Sequence, residues 1–429
     1  MIIVLIVGGG LGWKVRRARI QARAVAVVKA AGGFVRYDYE FPWVNGPNAR
    51  EPSAPKWLRK FLGDEYFQEV KHVNFNKAEP PVTEKSLAVL EAFTDLDSFS
   101  IRYSSKIGDG LKHLRGFQKF KRLRLSGPGI TDEGLLYLAG MSELEELTLS
   151  SSDKVTDVSV IPLVKSPKLQ SLTLWRMPNL TDRVLESLPE NCRLEKLSMS
   201  QTGIADAGLI ALKKAPELKK LSLEVSKVTD LGLRALGGHE WLETIALSGK
   251  GKIEDGLACV QRLPRLKHID LGDSKVTDKG ITYLNGNPTL ESIMLHNTGV
   301  SDAALEPIGN LANLRALSLA NTKVTDAGLT HLVACRKLIR LYIPDLPGIT
   351  DASAETISKI PTLESLLVYK TGLTDASIPN LAKLEKLSSL YLSGTKITKK
   401  GASSLQQALP ALKINFAPIS VFKPKPPPE

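Results

Sequence analysis

The stretch NTKVTDAGLTHL at residues 321–332 decides the fold of this chain. Just before it, Leu317 and Leu319 alternate with polar or small residues, which predicts a half-buried strand. Within the stretch, apolar residues follow at spacings of three and four behind the pair Thr325 and Asp326, which predicts a capped helix. One strand followed by one helix is therefore the unit that the sequence repeats.

This strand-and-helix pattern recurs from about residue 70 to residue 416 with a period of about 24 residues. A single copy buries too few apolar side chains to offset the entropy of ordering its backbone, so neighbouring copies have to stack. Parallel strands pack about 4.8 Å apart, whereas helices need about 8 to 10 Å. The sequence therefore predicts an α/β solenoid, a curved array with parallel strands on the concave face and helices on the convex face. About 14 repeats precede a terminal strand that begins at Leu412, and they open at Val70, Leu96, Phe120, Leu144, Leu169, Leu194, Leu218, Leu242, Leu266, Leu290, Leu314, Leu338, Leu363 and Leu387.

An acidic residue recurs at the start of the predicted helices. Carboxylates at helix N-termini accept hydrogen bonds from free N–H groups and interact favourably with the helix dipole. We therefore interpret the series as helix caps rather than as metal ligands. Its members are Asp132, Asp157, Asp182, Asp206, Asp230, Asp278, Asp302, Asp326, Asp351 and Asp375, with Asp109 and Asp255 one place later.

The basic charge of the chain is concentrated near its N terminus. The 57 Lys and Arg exceed the 45 Asp and Glu by +12, and residues 14–29 hold six basic residues and no acid. This segment makes nucleic acid or an anionic surface an alternative partner. The three cysteines lie outside any metal-binding pattern and are interpreted as buried apolar residues.

The apolar run at the N terminus, residues 2–13, is shorter than the roughly 20 apolar residues that span a bilayer. A shortened signal anchor within residues 1–20 is one interpretation, and an interfacial or buried segment is the other. The basic residues after an anchor would keep the repeats in the cytoplasm, and an unanchored chain is also expected to be cytoplasmic.

Terminal repeats need covers, because they would otherwise expose an apolar face. A helix over residues 14–31, stopped by glycines at 32–33, precedes a strand at 34–40 and an apolar cluster that includes Trp57 and Phe61. The domain prediction is an apolar stub with a basic segment at 1–23, an N-terminal cap at 24–69, repeats at 70–416 and a proline-rich disordered tail at 417–429.

Side chains that alternate with the strand leucines are expected to face the concave surface without a role in packing. Tyrosine, tryptophan and arginine on neighbouring strands resemble the residues that dominate protein interfaces. The predicted partner-binding residues are Arg340, Tyr342, Leu367, Tyr369, Tyr391, Trp175, Arg122 and Arg124. Arg102, Arg122 and Arg124 form a cluster that could hold an acidic partner, and solvated surface charge is the other interpretation, which is favoured.

An enzymatic interpretation finds little support in the sequence. His268 and Ser292 are predicted on adjacent strands with Asp270 nearby, but no nucleophile elbow or oxyanion turn accompanies them. No phosphate-binding loop, zinc motif or dinucleotide fingerprint is present. We predict neither a catalytic residue, nor a metal, nor a cofactor.

The phrase V-T-D-x-G-L, as in SKVTDLGLRAL at 226–236, resembles the leucine-rich repeats of the ribonuclease-inhibitor-like class, especially the arms of F-box proteins. This resemblance covers residues 70–416 and implies a leucine-rich-repeat solenoid. The stretches WKVRRARIQARAVAVVKAAGGFVRYDYEF at 13–41 and KWLRKFLGDEYFQEV at 56–70 resemble bacterial leucine-rich-repeat proteins with an N-terminal membrane anchor.

Together these features predict a non-enzymatic scaffold that binds a protein partner on the concave strand face, with a membrane tether through residues 1–20 left open. One alternative is a binder of nucleic acid or anionic surfaces that uses the basic segment, although protein is the favoured partner. A second is the recognition arm of a ubiquitin-ligase-like system, although the F-box segment of such receptors is not recognisable.

Overall fold

The computed structural model describes residues 2–40, 51–52, 54–76, 82–103, 107–249 and 251–416. Two compact units divide the chain. Unit 1 comprises residues 1–194 with 201–203, and unit 2 comprises residues 195–200 with 204–429. Both units consist of strands that alternate with short helices, which confirms the predicted α/β class.

Unit 1 contains an open sheet in which the first strand is antiparallel to the second and the later pairs are parallel. Its strands are β1 (Phe34–Tyr37), β2 (Val70–Phe75), β3 (Ser98–Ile101), β4 (Arg122–Ser126), β5 (Glu146–Ser150) and β6 (Ser171–Met177). Its α-helices are α1 (Ile2–Ala30), α2 (Lys56–Leu62), α3 (Glu84–Leu87), α4 (Asp132–Leu136), α5 (Asp157–Val164) and α6 (Arg183–Glu186). Short 3₁₀ helices cover Asp38–Glu40, Asp64–Tyr66, Ala88–Ala92 and Gly108–Leu114.

Unit 2 continues the same alternation, with parallel neighbours throughout its described strand pairs. Its main strands are β7 (Lys196–Thr202, of which Gln201 and Thr202 belong to unit 1), β8 (Lys220–Ser226), β9 (Thr244–Gly249), β11 (His268–Asp270), β13 (Ser292–Met294), β14 (Ala316–Ser318), β15 (Arg340–Tyr342), β16 (Ser365–Leu367), β17 (Ser389–Tyr391) and β18 (Lys413–Asn415). A separate pair consists of β10 (Lys252–Ile253) and β12 (Lys275–Val276). The α-helices are α7 (Asp206–Ala211), α8 (Asp230–Arg234), α9 (Asp278–Ile281), α10 (Leu305–Gly309), α11 (Asp326–Leu329), α12 (Asp351–Ser358), α13 (Ile378–Leu381) and α14 (Lys399–Ala408). The 3₁₀ helices are Leu212–Lys214, Ala235–Gly238, Asp255–Arg262, Thr282–Leu284, Asp302–Ala304, Thr330–Ala334 and Asp375–Ser377.

The repeating leucines form the core, as the periodicity predicts. In β4, Leu123 and Leu125 are fully buried, whereas Arg122 is half-buried and Arg124 is exposed. This alternation directs every second side chain toward the helices and leaves the others on the opposite face of the sheet. Cys192, Cys259 and Cys335 are also buried, and burial raises the pKa of Cys259 to about 12.

The threonine and the aspartate at the helix starts have different roles, which the sequence did not reveal. The threonine is the N-cap: the Thr325 hydroxyl accepts a hydrogen bond from the Ala327 N–H, and Thr156 and Thr350 cap their helices in the same way. The interpretation of the aspartates as helix caps is therefore wrong for these repeats, since each aspartate is already the first helical residue.

The aspartate carboxylate instead binds the next repeat. Asp302 accepts hydrogen bonds from the Thr325 N–H and the Thr325 hydroxyl, both at 2.7 Å. Where the aspartate comes one place late, Glu254 occupies the slot and accepts a hydrogen bond from the Thr277 hydroxyl at 2.7 Å. We call this contact, in which an acidic side chain accepts hydrogen bonds from the threonine or serine at the helix start of the next repeat, the repeat staple. The same staple joins Asp132 to Thr156, Asp157 to Thr181, Asp206 to Thr229, Asp278 to Ser301, Asp326 to Thr350, Asp351 to Thr374 and Asp375 to Thr398.

The glycine two places after the aspartate makes room for the staple. A Cβ atom on Gly328 would overlap a carboxylate oxygen of Asp302 and lie 3.0 Å from its Cα. On Gly232 a Cβ would lie 2.5 Å from an Asp206 carboxylate oxygen. In the Thr-Asp-x-Gly phrase, the threonine thus caps the helix and the aspartate binds the next repeat. The glycine is the receiving site, which leaves room for the aspartate of the preceding repeat.

Replacing Gly328 with alanine is expected to destabilise the protein by about 1 to 3 kcal/mol, because the added methyl displaces the Asp302 carboxylate. Helix propensity alone would change the stability in the opposite direction, because it favours alanine over glycine by about 1 kcal/mol. Gly238→Ala is the matched control, since no atom lies within 4 Å of its Cβ position, and it should be neutral or slightly stabilising. Urea unfolding followed by circular dichroism measures both, and equal effects of the two substitutions would contradict the receiving-site role.

A residue with positive φ follows the strand in most repeats and turns the chain toward the helix. Asn297 and Asn321 adopt this conformation, and their side-chain amides donate to Asp273 and Asn297, respectively, at 2.8 Å. Asparagine, aspartate and glycine tolerate the left-handed region best, whereas Tyr103 and Arg176 also adopt it with φ of 54° and 53°.

The N-terminal helix is attached to the first strands. Val28 is fully buried, Arg17 forms an ion pair with Glu69 at 3.1 Å, and the Gln21 side chain exchanges hydrogen bonds with the Gln68 carbonyl and the Val70 N–H. The predicted boundary at residues 23 and 24 falls inside this continuous helix, α1. None of the described helices is long and apolar enough to cross a membrane.

The second helix differs from the expected apolar cluster. Trp57 and Phe61 are 72% and 82% exposed, so these two side chains do not cover the core as predicted. They lie four residues apart on α2, and their helix contributes little to the buried cap. The proline-rich tail predicted at 417–429 lies outside the described residues.

Candidate partner-binding face

The side chains that alternate with the buried strand leucines form what we call the open face of each unit. In unit 1 they are His72, Asn74, Ser98, Ser100, Arg122, Arg124, Glu146, Thr148, Ser171, Thr173 and Trp175. In unit 2 the corresponding side chains of β11 to β17 are His268, Asp270, Ser292, Met294, Ala316, Ser318, Arg340, Tyr342, Ser365, Leu367, Ser389 and Tyr391.

Two of the predicted arginines lie on β4 of unit 1. Arg124 is exposed and its guanidinium contacts the Glu146 carboxylate at 3.0 Å. Arg122 is half-buried and lies in register between Ser98 and Glu146. The structure thus places both arginines on the open face, as the alternation predicts.

Trp175 lies toward the end of β6, in register with Ser150. Its side chain is 44% exposed, and the Arg176 guanidinium lies 5.2 Å from its ring centroid. The Arg176 side chain is held in turn by the Gln201 side-chain oxygen at 3.4 Å. A large aromatic side chain is therefore presented to solvent on an ordered strand.

The predicted tyrosine cluster of unit 2 lies on adjacent strands but is less exposed than expected. Tyr342, Leu367 and Tyr391 are in register on β15, β16 and β17, yet Tyr342 is 6% exposed and Leu367 is 1% exposed. Burial raises the pKa of Tyr342, whose hydroxyl also bonds to Ser365. Arg340, Tyr369 and Tyr391 are half-buried.

The expectation that the open face has no packing role is therefore wrong in this part of unit 2. Met294, Ser318 and Tyr342 occupy successive strands in register, and all three are buried. A small residue between two large ones allows the large side chains to cover it. Nearby, the Nε and Nη2 atoms of Arg340 are buried without a hydrogen-bond partner among the described residues.

Ser292 lies directly opposite His268 on the neighbouring strand, as the repeat alignment predicts. Asp270 accepts a hydrogen bond from the Gly272 N–H at 2.9 Å, and burial raises its pKa despite that bond. Ser292 itself is only 3% exposed, which leaves little room for a substrate at its hydroxyl. Within the described ranges, no three His, Cys, Asp or Glu side chains come close enough to hold a metal ion.

A cavity of about 350 Å³ on the open face of unit 1 includes residues that the sequence analysis did not select. Besides Arg122 and Arg124 it is lined by Arg36, His72 and Ser98. Arg36 was missed because it belongs to the antiparallel strand β1 of the cap and follows no repeat position. A Phe-x-Arg pattern in that strand is the only local signal for it.

A family model described as Leucine Rich repeat matches residues 118–139, 190–213 and 383–405, each of which spans part of one repeat. The chain therefore contains leucine-rich repeats. No curated protein sequence matches it. Among solved structures, this leucine-rich-repeat protein is similar to an internalin from Listeria monocytogenes, with 21% identity, a TM-score of 0.55 and coverage of 79% of this chain and 90% of that one.

Other similar structures include a leucine-rich-repeat protein from Leptospira interrogans, with 15% identity, a TM-score of 0.49 and coverage of 78% of this chain and 95% of that one. A plant peptide hormone receptor in complex with its peptide has 16% identity, a TM-score of 0.45 and coverage of 76% of this chain and 59% of the receptor. The resemblance to the ribonuclease-inhibitor-like subtype and to F-box proteins stays a prediction.

Proposed function

We propose that this leucine-rich-repeat protein is a non-enzymatic scaffold that binds another protein on its open face. The observation that carries the proposal is Trp175, a large aromatic side chain left 44% exposed on an ordered strand. Burying such a side chain against a partner yields more free energy than burying the small polar residues around it. Tryptophan and arginine are also the residues that most often dominate protein interfaces.

Arg124 and Arg122 complete the principal contact region, because they project from the same face two strands away. Arg340, Tyr369 and Tyr391 form a second contact region in unit 2, where each retains part of its surface. Tyr342 and Leu367 lie in register with Tyr391 but are buried, so they support this region rather than contact a partner directly.

Trp175→Ala is expected to weaken partner binding by about 30-fold, the loss of about 2 kcal/mol that is typical of a central aromatic contact. Proteins that bind to the immobilised full chain are first recovered. The affinity of each recovered protein for the wild type and for the variants is then measured. Because Trp175 lies on the open face and outside the core, the thermal midpoint of the variant should match that of the wild type.

Trp241→Ala is the matched control. Trp241 is 43% exposed and has the Arg265 guanidinium 4.0 Å from its ring, but it precedes strand β9 and lies outside the open face. A protein retained by wild type and Trp241→Ala but lost with Trp175→Ala supports the proposal. Equal retention by all three chains would refute the open face as the binding surface.

A membrane tether through residues 1–20 and a cytoplasmic repeat domain remain part of this proposal. The alternative, binding of nucleic acid or an anionic surface through Lys14 to Lys29, has less support because Arg17 already contacts Glu69 and Thr94 of the same chain. Binding that falls steeply with rising salt and disappears when residues 14–29 are deleted would favour that alternative.

A further inference from the structure

Two cross-strand rows build the cavity on the open face of unit 1. In the first row Arg36, His72, Ser98, Arg122 and Glu146 follow one another in register from β1 to β5. His72 and Ser98 are 8% and 5% exposed and form the floor, where the His72 Nδ1 atom lies 2.9 Å from the Ser98 hydroxyl. The two arginines of this row therefore flank a small polar floor.

The second row supplies one wall and the rim. Arg124 lies beside Arg122 on β4, and Phe34 and Asn74 face each other on β1 and β2. The Phe34 ring centroid is 5.9 Å from that of His72, and the Arg36 guanidinium lies 6.0 Å from the Phe34 ring. The phenyl ring, 40% exposed, thus borders the cavity on the cap side.

The lining carries three guanidinium groups and one carboxylate, so positive charge exceeds negative charge by two. Arginine stays protonated at any physiological pH. His72 does not add to this charge, because burial and the charges of Arg36, Arg122 and Arg124 lower its pKa to about 4. An anionic oxygen group seated over the floor would meet guanidinium donors from both sides.

We propose that this cavity, here called the arginine pocket, binds carboxylate side chains of an acidic segment of a protein partner. A carboxylate of the protein itself already binds one of these arginines, since the Glu146 side chain pairs with Arg124 at 3.0 Å. The inference rests on the proposed function, because the arginine pocket lies on the same open face as Trp175.

The spacing on the face defines the segment further. Arg124, Thr148 and Thr173 are in register on β4, β5 and β6, and Trp175 is two residues beyond Thr173. Ser98 on the floor is aligned with Ser171 three strands away, about 14 Å, and Trp175 lies four residues, or about 13 Å, beyond Ser171. The floor is therefore about 20 Å from Trp175, which an extended chain covers in about six residues, so the arginine pocket and Trp175 select an acidic residue and an apolar residue about six positions apart.

A fluorescent tetraglutamate peptide tests the arginine pocket on the full chain. Its dissociation constant is expected to rise at least about tenfold in Arg36→Gln/Arg122→Gln, because hydrogen bonds to charged groups are lost on both sides. Arg115→Gln is the matched control, since Arg115 is an exposed arginine at the end of the Gly108–Leu114 helix and outside the cavity, and it should change binding by less than about twofold. The His72 ring resonances should shift when the peptide is added to the wild type.

Three results would overturn the proposal. A tetraglutamine peptide that binds as tightly as tetraglutamate would show that charge is not recognised. Inorganic phosphate or oligothymidylate that displaces tetraglutamate at lower concentration would identify a different ligand class. Unchanged binding in the double variant, or equal loss in Arg115→Gln, would place the peptide elsewhere.

These outcomes are separable from the test of the proposed function. Loss of tetraglutamate binding with normal retention of a partner that depends on Trp175 removes the arginine pocket alone. Tetraglutamate binding without any retained partner removes the scaffold proposal and leaves the anion site.

Discussion

Replacing Asp302 with alanine is expected to lower the free energy of unfolding by about 3 kcal/mol. The carboxylate accepts two hydrogen bonds from Thr325 of the next repeat, at the N–H and at the hydroxyl, each 2.7 Å long. Hydrogen bonds to charged groups contribute about 1.5 to 3 kcal/mol each, and their loss leaves a backbone N–H unsatisfied at the repeat junction. Urea unfolding monitored by circular dichroism measures the change.

The Asp302→Asn variant distinguishes the loss of the staple hydrogen bonds from a loss of side-chain volume. The asparagine oxygen still accepts a hydrogen bond from the Thr325 N–H, so this variant should retain about half of the lost stability. A loss below about 1 kcal/mol in Asp302→Ala would mean that leucine packing alone holds adjacent repeats together.

His72 is expected to make stability depend on pH by about 3 kcal/mol. Its pKa in the folded protein is lowered to about 4 by burial and by Arg36, Arg122 and Arg124, whereas an unfolded histidine titrates near pH 6.5. Between these values the unfolded chain binds the proton and the folded chain does not. Stability should therefore be constant above about pH 6.5 and fall as the pH is lowered toward about 4.

The comparison of wild type with His72→Gln isolates this contribution, because the other titrating groups are common to both proteins. The difference in their free energies of unfolding should change by about 3 kcal/mol between about pH 7.5 and about pH 4. His331→Gln, which replaces an exposed histidine, is the matched control. A pH-independent difference for His72→Gln would contradict the burial of a neutral imidazole beneath the arginines.

The repeat fold was predictable because leucine spacing reports burial directly. Leu317 in β14 and Leu319 directly after it are both buried, and the helix begins after Thr325, as the stretch at 321–332 indicates. The open face of β4 was predictable for the same reason, since Arg122 and Arg124 alternate with Leu123 and Leu125. Period-two alternation assigns each residue to a face without knowledge of its neighbours.

Other features depend on contacts between repeats, which no single repeat reveals. Asp302 is a helix-start residue by sequence, and only the stacking distance brings its carboxylate to Thr325. Tyr342 belongs to the open face by alternation, but the small Ser318 beside it lets the neighbouring large side chains close over the strand. Arg36 reaches the arginine pocket through the antiparallel pairing of β1, which the repeat pattern does not encode.

The repeat staple is directional, since each acidic side chain grips the repeat that follows it in the chain. In α14, the last helix among the described residues, Thr398 donates to Asp375, but Lys399 stands where an aspartate would bind the next repeat. Repeats that have a stapled junction on both sides can therefore be excised or duplicated with the same contact formed again at the new junction. A copy appended after α14 would lack its anchor unless Lys399 were also changed.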